Sequence, residues 1–382
     1  MHPTPSPAPP SSPALATASP LGFASDNYAP AHPDVLHAVC AANAGYARAY
    51  GQDAWTATAD ACFERHFGPQ ARAFYVFNGT AANVLALQSM VRSYEAVLCS
   101  DAAHILVHEC GAPSHFTGAT LLPIPTSDGK LRPQQLQAYV SALGNPHQVQ
   151  PKVVSLTQPT EWGTLYTREE IAGLVDVAHG YGWYVHMDGA RLALAATALG
   201  CTLREITTDL GVDVVAFGGT KLGMLLGEAV VFLNPQLAQQ AHQSCPFWRK
   251  QAMQLASKMR FISAQFVALL EGDLWQRNAC HALDMTKLLE KHLREALHLH
   301  PVMPVAANTV FIRLPKTVYE ALQAEMPCYA WCKPVTHQGD EGFSGSETEV
   351  ITRLMTSYAT QPEEITWLVE TLRRLLVSPA NA

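Results

Sequence analysis

The sequence predicts an α/β protein: a large domain whose mainly parallel sheet is covered by helices on both faces, then a smaller α+β C-terminal domain. Three observations carry this. Strand-like and helix-like segments alternate through the middle of the chain. The alternation changes after about residue 272. Three of the strand-like segments run directly into polar, glycine-containing turns. The chain has 382 residues, of which 48% are hydrophobic and 15% charged, enough for two cores.

The elements follow in order. Residues 1–20 carry seven prolines and no Lys or Arg, without the basic start and apolar stretch of a signal peptide. They are expected to form a disordered tail, because they cannot bury enough apolar surface to offset ordering entropy. The large domain is expected over 21–272 and the small one over 273–382. "AFYVF" (73–77) reads as a strand, and "TAANVLALQSMVRSY" (80–94) has the helical spacing of Ala82, Leu85, Ala86 and Met90. "KVVSLT" (152–157) is a strand. The helix that follows opens on a capping box, Thr167 with Glu170, and closes at Gly180 and Gly182. "WYVHMD" (183–188) completes a βαβ unit. Val214–Phe217 and Val230–Leu233 read as buried strands. Beyond 272 come a long helix near 274–298, the strand "NTVFIRL" (308–314), a helix near 316–325, the strand-like "VITRLMTSY" (350–358) and a final helix from 362.

Composition removes several function classes. A net charge of -7 without a long Lys/Arg cluster argues against a nucleic-acid binder, and no apolar run is long enough to span a bilayer. Nine cysteines without C-x-x-C spacing suggest reduced thiols and a cytoplasmic protein.

Parallel α/β sheets bind ligands beyond the carboxyl ends of their strands, so the three polar turns should share one edge. In "FNGTAAN", Gly79 and Thr80 stand at a helix start, where free N–H groups favour a phosphate; an ordinary cap by Asn78 or Thr80 reads equally from the residues. In "HMDGAR", Asp188 and Arg191 are either a site or a structural ion pair. In "FGGTKLG", Lys221 is the one cation between two apolar strands, flanked by Gly218, Gly219, Gly223 and Gly227. A desolvated lysine able to form a Schiff base fits there, as does a loop lysine that only binds phosphate. An anion cradle, an acid and a lysine are together what pyridoxal phosphate requires.

With "NGTAAN", "DAAHI", "HMDGARLA", "FGGTKLG" and "SKMRF" in this order, the chain resembles the threonine aldolase family of fold type I pyridoxal-phosphate enzymes, whose large domain is aspartate aminotransferase-like. The similarity runs from "FASDNYAPAHPDVL" (23–36) to "TRLMTSYATQPEEI" (352–365). The resemblance implies retro-aldol cleavage of L-threonine, L-allo-threonine and other L-β-hydroxy-α-amino acids to glycine and an aldehyde, in a homodimer or homotetramer with sites at subunit interfaces. It assigns Lys221 to the Schiff base with pyridoxal 5'-phosphate, Asp188 to the pyridine nitrogen, Gly79 and Thr80 to the phosphate, and His104 to stacking on the ring. Arg260 adds a cation near the phosphate, across an interface. Ser25, Arg191 and Arg353 hold the substrate carboxylate, and Tyr50 lies in a segment that lines the family's site.

Two positions depart from the family pattern. Thr220 replaces the serine that many members carry before the lysine. Where many have a second active-site histidine, this chain offers Thr157, Gln158, Thr160 and Glu161. The β-hydroxyl base therefore stays open among His104, Glu161 and a water. His186 reads as a buried structural residue. His108, Glu109 and His115 lack convincing metal-ligand spacing, and no metal is expected. The alternative is another fold type I enzyme, a β-eliminating lyase or an aminotransferase acting on a small L-amino acid.

Overall fold

In the computed structural model the described residues are 22–331 and 348–377; the proline-rich segment 1–20 lies outside them. Seven strands form one sheet: β1 (Arg72–Val76), β2 (Glu95–Ser100), β3 (Thr120–Ile124), β4 (Gln150–Thr157), β5 (Tyr184–Gly189), β6 (Val214–Gly218) and β7 (Glu228–Phe232), in the order β1-β7-β6-β5-β4-β2-β3. The pairs from β3 through β6 are parallel, and β7 runs antiparallel to both β6 and β1. Two reversals leave β1 parallel to β6. The carboxyl ends of β1, β5 and β6, with their polar turns, therefore meet on one edge, as the sequence predicts.

Strand alternation divides the core. Val215 and Phe217 of β6 face one cluster with Met187 and Leu156, whereas Val214 and Ala216 face the other with Val153 and Val230. Both sheet faces are thus covered. The helix Gly79–Met90 is buried almost all round, which is why it lacks a polar stripe. It stops at Met90 rather than running to 94. Val91 is extended, and a turn joining Glu95 N–H to the Arg92 carbonyl at 2.9 Å feeds β2. On the other face, Phe63 of the helix Ala54–Phe67 packs on Phe266 of the helix Arg260–Glu271 at 5.2 Å and on Phe217 at 5.7 Å. Truncating any of these rings to alanine should cost about 3–5 kcal/mol.

Three further strands, β8 (Thr309–Pro315), β9 (Tyr329–Ala330) and β10 (Glu349–Met355), form an antiparallel sheet in the order β8-β10-β9. The 24-residue helix Leu274–Leu297 links the two sheets: Leu274, Trp275 and Ala279 belong to the large core, Leu289 and Leu293 to the C-terminal one. Phe23 also sits in the C-terminal core, and its carbonyl accepts the Met355 N–H at 2.8 Å. The start of the described chain is thereby stitched to β10. No described helix is long and apolar enough to cross a membrane. The eight described cysteines are all free.

Candidate active site

Lys221 stands in a short 3-10 turn immediately after β6. Its glycines have identifiable jobs. A Cβ on Gly218 would lie 2.2 Å from the Ala190 carbonyl oxygen, so glycine lets the end of β6 press against the turn that follows Asp188. Gly223 closes the lysine turn at φ +111°, a conformation that side chains disfavour. Burial, reinforced by the Arg191 charge, holds the Lys221 ammonium below its usual pKa, which favours the nucleophilic amine.

The amine faces a cavity of about 550 Å³, solvent included, lined by Gly79, Asn83, His104, Glu109, Asp188 and Glu228 among others. Asp188 is 3% exposed and accepts from the Ala190 N–H at 3.0 Å and from Asn83 Nδ2 at 2.9 Å. Burial pushes its carboxyl up, but His104, these two donors and Lys221 outweigh that and hold it low and charged. Asn83 Nδ2 also donates to Glu109 Oε1 at 2.8 Å, and the same oxygen meets His104 Nδ1 at 2.9 Å. A hydrogen-bonded chain, buried except at His104, therefore runs His104–Glu109–Asn83–Asp188. Burial lowers the His104 pKa, yet the Glu109 hydrogen bond and the Asp188 charge more than reverse this and raise it.

The cavity opens outward, past His104, Glu161, Arg191 and Lys221, into a second lobe lined also by Ser25, Asn308, Tyr329, Trp331 and Arg353. Arg191 is clamped bidentately by Asp26, Nε–Oδ2 at 2.5 Å and Nη2–Oδ1 at 2.9 Å. Asn308 Nδ2 supports Asp26 Oδ2 at 3.1 Å. Arg353 lies over Trp331 at 4.5 Å and donates from Nη2 to the Ala24 carbonyl at 3.0 Å, while its buried Nε has no partner among the described residues. Burial and the neighbouring Arg191 push its pKa down to about 10. Two guanidiniums lining one lobe can together hold a carboxylate.

These groups fit pyridoxal phosphate. Asn78 caps the helix Gly79–Met90 through the Ala81 N–H, which leaves the Gly79 and Thr80 N–H groups at the helix start for an anion; Gly79 lines the cavity and has open space beyond its Cα. Asp188 can meet the pyridine nitrogen, Lys221 the aldehyde, and His104 a ring face. His104, Glu109 and Asp188 also bring ligand-type atoms within 4.8 Å of one another, but His104 and Glu109 already share a hydrogen bond, and Asn83 Nδ2 bridges Glu109 and Asp188.

Comparison with known proteins agrees with this cofactor. The beta-eliminating lyase family model matches residues 22–317. The chain belongs to the beta-eliminating lyase family. A low specificity L-threonine aldolase of Pseudomonas aeruginosa is 43% identical over 303 residues, 79% of this chain and 86% of that one. The solved structure of Leishmania major threonine aldolase superposes with a TM-score of 0.84 at 30% identity, over 94% of this chain and all of that one. Aspartate aminotransferase from Thermus thermophilus, with a TM-score of 0.63 at 17% identity over 93% of this chain and 90% of that one, shares the fold, which is fold type I.

Among the residues singled out from the sequence, this member of the lyase family brings Lys221, Asp188, His104, Gly79, Arg191, Ser25 and Arg353 to the two lobes. Thr80 lies beside the inner lobe without lining it. Arg260 is outside both lobes of its own chain, donating to the Gly45 carbonyl at 3.0 Å. Tyr50 is likewise outside, half-exposed under Lys250. His186 is fully buried against Ser155 at 2.9 Å, its pKa pushed down to about 4 by burial. Sequence reasoning missed the site roles of Asp26, Asn83 and Asn308, and weighed Glu109 only as a metal ligand. Asp26 and Asn83 lie inside motifs already quoted, so their partners rather than their positions were hidden.

Proposed function

We propose that the chain is a pyridoxal-phosphate-dependent L-threonine aldolase, cleaving L-threonine, L-allo-threonine and related L-β-hydroxy-α-amino acids to glycine and an aldehyde. One observation carries this beyond a generic member of the fold. The lysine lobe opens directly onto an outer lobe that holds two arginines on one wall and a carboxylate with a histidine at the junction. The named relatives cited above point the same way.

When bound, pyridoxal phosphate supplies an electron sink for the pair left on Cα. The chain's residues do the rest. Gly79 and Thr80 hold the phosphate, and Asp188 keeps a proton on the ring nitrogen. Lys221 would supply the amine that holds the cofactor's aldehyde. Ser25, Arg191 and Arg353 hold the carboxylate, which fixes the bond from Cα that is aligned to break. Arg191 offers Nη1, since Asp26 takes Nε and Nη2.

Arg260, Tyr50, and the exposed Phe77, Leu225, Leu226 and Phe247 support a homodimer or homotetramer in which a second copy completes the phosphate end. Free cysteines support a cytoplasmic setting.

The experiment is direct. Protein supplied with pyridoxal phosphate is reduced with borohydride and mapped by mass; the adduct should lie on Lys221. Incubation with L-threonine should then yield glycine and acetaldehyde. An adduct elsewhere refutes the cofactor site, and 2-oxobutyrate with ammonia would mean elimination instead.

A further inference from the structure

The geometry points to Glu161 as the group that accepts the substrate's β-hydroxyl proton. The assignment rests on the aldolase reading and deepens it.

Glu161 lines both lobes, at the junction where a β-substituent must lie if Cα is at Lys221 and the carboxylate is on the arginine wall. Its two oxygens are used differently. Oε1 accepts the His104 backbone N–H at 2.7 Å, which fixes the carboxylate. Among the described residues Oε2 is buried and makes no hydrogen bond of good geometry, although the Thr157 hydroxyl lies near enough to favour the charged carboxylate. A buried, unpartnered carboxylate oxygen is costly unless a ligand satisfies it, and a hydroxyl does so. The loop is held rigid beneath it. Thr160 and Thr164 share a hydroxyl contact at 2.8 Å, and Trp162, 1% exposed, packs on Phe311 at 5.2 Å.

The rival groups are worse acceptors. His104 gives Nδ1 to Glu109, and its raised pKa favours the protonated ring. Glu228 lines the inner lobe only, and its Oε2 already accepts the Gly219 N–H at 2.6 Å. Around Glu161 the charged or titratable groups are Asp188 and Arg191 across the cavity, His104, and the buried Cys99 and Tyr166. Burial first, aided by the Asp188 charge, outweighs the hydrogen bonds from the Glu161 and His104 backbone N–H groups and Thr157 and pushes Glu161 up to about 7, a value suited to a general base near neutrality. In the step, the hydroxyl proton moves to Oε2, the oxygen pair becomes the aldehyde C=O, and the Cα–Cβ bond breaks. Its pair stays on Cα until a proton returns to give glycine.

The test compares wild type and Glu161→Gln as holoenzymes, following L-threonine cleavage and the exchange of glycine α-hydrogen in D2O, which needs no β-hydroxyl. We expect cleavage to fall roughly a hundredfold or more, with exchange and cofactor absorbance within a few-fold of wild type. The acid limb of kcat/KM should disappear, and Glu161→Asp should recover part of the rate with that limb. In His104→Phe the limb should persist. Near-normal cleavage by Glu161→Gln overturns the assignment, as does loss of exchange in parallel with cleavage. Wild type that exchanges glycine but yields no acetaldehyde overturns the aldolase reading itself, and the assignment with it.

Discussion

Asp26→Asn removes one negative charge from a position that is 1% exposed and directly clamps Arg191 through two hydrogen bonds. Asparagine keeps the shape but offers a single acceptor, and its amide would turn N–H groups toward the guanidinium. Arg191 is then a largely buried cation without its counter-ion, a change that costs about 3–5 kcal/mol. At roughly 2.1 cal/mol/K per residue, the 382 residues have an unfolding entropy of about 0.8 kcal/mol/K. Tm at neutral pH should fall by about 4–6 °C. The sign of the pH dependence follows from the Asp26 carboxyl. Burial raises its pKa, but Arg191, with Lys221 and Asn308, holds it below the ordinary 3.8. Its stabilisation is therefore complete above about pH 4 and is lost as pH falls through the lower folded value. Melting curves at neutral pH and in stepwise stronger acid measure this. The two proteins should converge in acid, and the KM for L-threonine should rise because Arg191 is no longer aimed. Equal Tm at neutral pH, or a gap that survives unchanged into strong acid, would refute the reasoning.

Three other outcomes follow from the same geometry. Arg353→Lys keeps the charge but loses the planar fork over Trp331, so kcat/KM should fall roughly 30-fold, about 2 kcal/mol, with the cofactor still bound; unchanged steady-state kinetics would make Arg353 structural. Gly218→Ala drives a methyl into the Ala190 carbonyl at 2.2 Å, so it should cost about 1–3 kcal/mol and weaken cofactor retention, read by thermal melting and by absorbance after gel filtration. Glu161→Gln should melt higher than wild type at pH 8: burial raises the Glu161 pKa from 4.5 to about 7, so the wild type loses stability as pH rises between those values and carries the full cost above them, and the advantage should vanish below about pH 4, where folded and unfolded Glu161 are both protonated.

The sheet was legible because buried strands such as Val214–Gly218 and Glu228–Phe232 are short apolar runs ended by glycine turns. The strands β2 and β3 were not. Glu95–Ser100 follows a helix after a four-residue turn, and Thr120–Ile124 ends at Pro123–Ile124 on the sheet edge, where alternation is weak. In the site, Lys221, Asp188 and Arg191 announce themselves as charges beside apolar strands, whereas Arg353 was assigned only by resemblance. Asn83 and Asp26 do not stand out, since each acts through a partner 105 or 165 residues away and a lone polar residue gives no hint of that partner. Arg260 and Tyr50 show the opposite limit: their assignment came from resemblance, and in a single chain both lie away from the two lobes, Tyr50 lining a separate hollow with Arg72 and Arg249.

The stitching of the chain's early segment to β10 has a consequence for synthesis on the ribosome. Lys221, Asp188, Asn83 and Glu228 are all translated by residue 228, whereas the Arg353–Ala24 bond joins positions 329 apart. At about 5–20 residues per second, the interval between translating Glu228 and Arg353 lasts roughly 6–25 s. During that time the nascent chain has the residues that line the lysine lobe but lacks Arg353 of the outer one.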